Sequence, residues 1–93
     1  RHTDHSQAAA LLDAVFEEFA ELNRAGVSPD SEPAKITVEK LQQCITDNFY
    51  TCTDDILKGL GEMYVADDRF RKNIDRHGEG TAEFVSACIK SYC

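Results

Sequence analysis

The chain has 93 residues, 42% hydrophobic and 29% charged, with a formal net charge of −7. A domain of this length buries roughly 60–70% of the surface of its unfolded chain, enough for one core and a modest pocket. No apolar run approaches the roughly 20 residues of a membrane span, so a soluble domain is expected, and the excess of acid opposes the phosphate contacts that hold nucleic acid.

The chain opens at Arg1 without a methionine and without the charged, apolar and small-residue succession of a signal peptide, so it reads as a trimmed chain or a piece of a longer protein. A first helix is expected from about Ser6, an acceptable N-cap. Leu11, Leu12, Val15, Phe16, Phe19 and Leu22 recur at three- and four-residue steps, which makes one face core. Glu17, Glu18 and Glu21 lie largely off that stripe, on the solvated face. Gly26 ends the helix, and a loop from Pro29 to Pro33 follows.

Ser31 is the N-cap of a second helix whose first turn accommodates Pro33, and Ile36, Leu41, Cys44 and Ile45 form its buried side to about Asp47. Thr53 caps a third, with Asp54 and Asp55 at the positive end of the helix dipole and Ile56, Leu57, Leu60, Met63 and Tyr64 as a broad apolar face. Gly59 and Gly61 each cost roughly 1 kcal/mol against Ala in a helix interior, which suggests close approach by a neighbouring helix or a ligand.

Asp67 can cap a short fourth helix carrying Phe70 and Ile74. Its Arg69, Arg71, Lys72 and Arg76 alternate with Asp67, Asp68 and Asp75, the pattern of a solvated, salt-bridged face. After the His77–Gly80 loop, Thr81 is the expected cap of a last helix with Phe84, Val85, Cys88, Ile89 and Tyr92 towards the core. The pattern predicts an all-α domain of about five helices and leaves open an up-and-down bundle or an angled packing.

Of the four cysteines, Cys44 and Cys88 fall on apolar faces and Cys93 ends the chain. Reduced thiols in a cytoplasmic compartment are expected, and the spacings do not suit zinc. Cys52, just before the Thr53 cap, lies near unpaired N–H groups that can lower a thiol pKa, while Asp54 and Asp55 push the other way, and the residues alone favour a structural or merely exposed thiol. Phe49, Tyr50, Met63, Tyr64 and Phe70 are candidate walls of an apolar pocket, with Asn48 and Asp67 as its polar partners. No histidine lies within sequence reach of Cys52 to serve as a base, so an enzyme is not expected. The interior histidine, His77, stands in a glycine loop, which excludes an ordinary haem globin.

The run Tyr50-Thr51-Cys52, Gly61-Glu62-Met63-Tyr64-Val65, Asp67, Arg69-Phe70 and Asn73-Ile74-Asp75, with Ala25-Gly26 and Asp30-Ser31-Glu32 upstream, closely resembles the TipAS antibiotic-recognition domain. In that family it forms the C-terminal half of thiostrepton-induced and multidrug-responsive regulators of the MerR type. The resemblance implies globin-like packing without haem or other cofactor, and a ligand-sensing domain spanning residues 1–93. It implies that DNA is met only through a winged-helix domain outside this chain, that the full-length protein is a homodimer through a coiled coil, and that this part alone is a monomer.

The implied ligand is a thiopeptide or another bulky hydrophobic antibiotic, held in a cleft between the Phe49–Thr53 turn and the third and fourth helices. In thiostrepton-responsive members the cysteine of a Tyr-x-Cys motif adds to a dehydroalanine of the drug, the position Cys52 holds here. Where the family usually carries His-Arg in the second helix this chain has Gln42-Gln43, so that pair's role in ligand selection does not carry over. The competing reading is a helical interaction module whose groove receives a partner helix, with no small-molecule ligand.

Overall fold

The computed structural model describes residues 5–93, with side chains from Gln7 onward. These residues form five helices and no strand: α1 (His5–Arg24), α2 (Glu32–Asn48), α3 (Asp54–Ala66), α4 (Asp68–Asp75) and α5 (Thr81–Tyr92). The start of the first helix, expected near Ser6, falls at the edge of the described residues, since α1 is described from His5.

Three helix starts follow from local chemistry. Ser31 Oγ accepts from Ala34 N at 3.4 Å, Thr53 Oγ1 from Ile56 N at 3.2 Å, and Asp67 Oδ1 from Arg69 N at 2.9 Å, each pairing one of the orphan donors of a first turn. The fourth such expectation is corrected. Thr81 lies inside α5 and its hydroxyl donates to Gly78 O, while the cap position belongs to Gly80, whose φ of +85° suits a residue without Cβ. The donor at Ala82 N is taken instead by Asp75 Oδ1 at 2.8 Å, from the end of the preceding helix.

The short α5 packs against each of the other four helices, and α1 pairs with α2 as α3 does with α4. A short helix with four packing partners is not the arrangement of an up-and-down bundle. Thr81, Ala82, Phe84, Val85, Cys88 and Ile89 of this helix are all buried and form one broad face, while Glu83 and Lys90 on the other side are exposed. Phe19 of α1, Val38 and Leu41 of α2, and Leu57 of α3 meet them as fully buried partners.

Three residues expected in the core are exposed: Leu11 (46%), Ile36 (44%) and Ile56 (40%). On α2 the buried stripe is Ala34, Thr37, Val38, Leu41 and Ile45, which puts Ile36 on the flank. On α3 it is Leu57, Gly61 and Tyr64, and Ile56 falls outside it. Both stripes mix small residues with large ones, and Ile36 and Ile56 are outside by their angular position and not by their size.

Gly61 marks the tightest of these approaches. A Cβ built there would lie 3.2 Å from Cγ2 of Ile89, a fully buried side chain of α5 with little room to give, whereas one on Gly59 would meet nothing within 4 Å. Gly59→Ala should therefore gain about 0.5–1 kcal/mol from helix propensity. Gly61→Ala has to set that gain against overpacking of about 1–3 kcal/mol. In urea unfolding the Gly59 variant should come out more stable than the parent and the Gly61 variant less so; the reverse order would show that α3 and α5 are not packed through this glycine.

Candidate functional site

On α1, Ala9, Leu12, Asp13 and Phe16 stand at i, i+3, i+4 and i+7, and so share one face. That stripe faces Phe49 at the end of α2, Tyr64 of α3, and Phe70, Asn73, Ile74 and Arg76 of α4 and its C-terminus, and together they enclose a cavity of about 340 Å³. The wall is aromatic. Phe16 and Tyr64 meet edge to face with centroids 5.7 Å apart, and Tyr64 lies tilted against Phe70 at 6.0 Å. Burial, with lesser contributions from Tyr50 and Cys52, pushes the Tyr64 phenol well above its ordinary range, so it is neutral at all ordinary pH.

The charged edge of the cavity is a single ion pair. Arg76 Nη2 donates to both oxygens of Asp13 at 2.8 Å, and this contact holds the Asp13 carboxyl below its ordinary value. Next to it the buried His77 ring lies between two carboxylates of α1, with Nδ1 2.8 Å from Glu17 Oε1 and Nε2 3.4 Å from Asp13 Oδ1. The hydrogen bond from His77 likewise lowers the Glu17 carboxyl. Arg24 adds a bond to His77 O at 3.1 Å, so α1 is clasped to the α4–α5 loop along about three turns.

Cys52 is 5% exposed and sits in a turn held from both sides. Its N–H donates to Thr46 Oγ1 at 3.0 Å, and its carbonyl accepts from Gln42 Nε2 at 2.9 Å, with the same Gln42 nitrogen reaching Asp54 Oδ1 at 2.9 Å. The lowered pKa expected from the helix start is not found. Desolvation first, then the Asp54 charge, raises this thiol, because the sulfur faces the interior and not the N–H groups of α3. Burial also raises Cys44 and pushes Cys88 up to about 12; among the described residues no cysteine is in a disulfide.

Of the residues singled out in the sequence, Phe49, Tyr64 and Phe70 line the cavity together. Tyr50 is half exposed on the turn beside Cys52, and Met63 is partly buried against the core. Asp67 is engaged as the cap of α4, and Asn48 donates to Cys44 O at 2.8 Å beside a separate shallow groove that includes Leu11 and Lys40. The α1 wall and the Asp13–Arg76 pair were not anticipated. The signal was present as a carboxylate interrupting an apolar helical stripe.

A helical domain that encloses an aromatic cavity with one ion pair at its edge belongs to the ligand-binding class of all-α proteins. The sequence matches the family described as the TipAS antibiotic-recognition domain over residues 2–92, and the chain belongs to that family. It is 36% identical over 84 residues to the HTH-type transcriptional activator mta of Bacillus subtilis, covering 90% of this chain and 32% of that one. To the HTH-type transcriptional activator TipA of Streptomyces coelicolor it is 39% identical over 77 residues, 83% of this chain and 30% of the relative. The chain thus spans about a third of the length of these relatives, which are named as regulators and not as enzymes. Among solved structures, TipAS from Streptomyces lividans in complex with nosiheptide, a thiopeptide antibiotic, superposes with a TM-score of 0.81 at 37% identity over 87% of this chain and 57% of that one. The globin-like helical arrangement is therefore that of the family.

Two outcomes test this geometry. Because the folded-state pKa of Asp13 lies below its ordinary 3.8, its contribution is complete well above that value and drains away as pH falls through the lower one. Asp13→Asn should lower stability at pH 7 by about 0.5–1 kcal/mol, a surface-pair magnitude, and flatten the acid loss between about pH 5 and 2. Separately, Gln42→Ala should speed labelling of Cys52 by a thiol reagent about tenfold, since two hydrogen bonds of about 1 kcal/mol hold the turn shut. An unchanged rate would show that Gln42 does not restrain it.

Proposed function

We propose that residues 1–93 are the effector-sensing part of a bacterial MerR-type transcriptional regulator, and that they bind a thiopeptide or another bulky hydrophobic antibiotic in the α1–α3–α4 cavity. The observation that carries this reading is the aromatic cavity of about 340 Å³ in a chain of the TipAS family. That volume lies near the small end of ligand pockets, so it takes one or two rings of a large antibiotic while the rest lies over the surface outside. In this reading Phe49, Tyr64 and Phe70 are the walls, and Tyr50 extends them outward. Asn48 and Asp67 serve the ends of their own helices, α2 and α4, and Met63 packs against the core. We assign no catalytic role, and DNA contact, homodimerisation and a cytoplasmic setting belong to the regulator as a whole.

Covalent capture at Cys52 fits the same scheme as a second step. Its sulfur is buried and its thiol pKa raised, so non-covalent docking has to come first and the Tyr50–Thr53 turn has to open before a dehydroalanine can be reached.

Nosiheptide titration by calorimetry and thermal shift tests the proposal. A ligand at about 100 times its Kd should add about 2.7 kcal/mol to stability. Phe70→Ala, at a half-exposed position that leaves the core intact, should weaken binding about tenfold. If an adduct forms with a dehydroalanine-bearing thiopeptide, mass spectrometry should find it on the peptide containing Cys52. A chain that ignores nosiheptide and a panel of bulky hydrophobic antibiotics would sink the reading.

A further inference from the structure

The cavity does not end at its aromatic walls. Phe70, Asn73 and Arg76 also line a shallower, open depression that runs outward over α4 and is completed by Arg69 and Lys72. Positions 69, 72, 73 and 76 follow the i, i+3, i+4, i+7 spacing of one helix face, so three cations and an amide stand in a row beside the Phe70 ring. This is unusual in a chain of net charge −7.

Neighbouring acids do not use up that charge. Arg76 is committed to Asp13, and Arg69 lies 3.6 Å from Asp67 but is 90% exposed, while Asp67 is also engaged as the cap of α4. Lys72 takes part in no ion pair among the described residues. The remaining α4 cation, Arg71, points elsewhere: it donates to Val65 O at 2.6 Å and pairs with Glu83 at 3.5 Å. Asp68, one turn before Lys72, makes no ion pair among the described residues, so Lys72 and the exposed Arg69 remain available to a ligand next to an apolar, aromatic hole.

We propose that the cavity and the α4 face are one continuous site, and that it selects amphiphilic ligands in which an aromatic body carries an anionic group. The aromatic part fills the space between Phe16, Tyr64 and Phe70, and the anion rests on Lys72 and Arg69, several ångströms outward along the same helix. This rests on the ligand-binding reading of the cavity given above and names the chemistry that the site prefers.

A matched pair of fluorescent probes separates the two ideas: 8-anilinonaphthalene-1-sulfonate, which is anionic, and N-phenyl-1-naphthylamine, the same aromatic body without the sulfonate. The anionic probe should bind several-fold more tightly at low salt and lose that advantage in high salt. The double variant Arg69→Ala/Lys72→Ala, at exposed positions, should weaken the anionic probe by about three- to tenfold and leave the neutral one unchanged. Phe70→Ala should weaken both. Equal affinities, or an anionic probe indifferent to the double variant while Phe70→Ala still weakens both, overturns the charge selection and leaves the cavity reading standing. No binding of either probe, or binding indifferent to Phe70→Ala, removes the cavity reading and this inference with it.

Discussion

The contact between Gly61 and Ile89 is the constraint on which the rest of the molecule depends. Helix α5 has only 12 residues, yet all four other helices pack on it. A post that short supports four neighbours only if at least one comes to near backbone contact, and α3 does so through a glycine that leaves room for the Ile89 branches. With α3 seated there, Tyr64 on its far turn is carried to the place where it joins Phe16 and Phe70. The cavity is thus an extension of core packing: Phe16, Tyr64 and Ile74 of its wall belong to the same buried cluster that α5 joins.

Much of this was legible in the chain. Capping residues placed three of the helix starts, because a Ser, Thr or Asp side chain reaches its own first turn and needs no partner from elsewhere. The start of α5 escaped for the opposite reason. Its donor is satisfied by Asp75, from another helix, and a glycine occupies the cap position where Thr81 had looked suited. Leu11, Ile36 and Ile56 misled because each lies at the flank of its helix's buried stripe, and only the packing partners set where that stripe ends.

The site was legible in part. The aromatic residues around the third helix were recognisable from composition and from the family motif, and three of them meet in space. What local reading could not supply was the opposite wall, because nothing in the sequence near Asp13 says that Arg76 will face it. Gln42 shows the same limit in another form. It stands near a position where the family usually has a different side chain, and only the fold shows it bonded to the carbonyl of Cys52, ten residues away.

The clasp of Asp13 on Arg76 joins residues 63 positions apart, among the longest-range polar contacts described in the molecule. Closing so large a loop is entropically harder than pairing α3, α4 and α5, which follow one another in the chain. The wall contributed by α1 is therefore joined to α4 by partners that lie far apart in the chain. A molecule lodged against that wall touches α1 and α4 together, and so adds a further tie between the two ends of the fold.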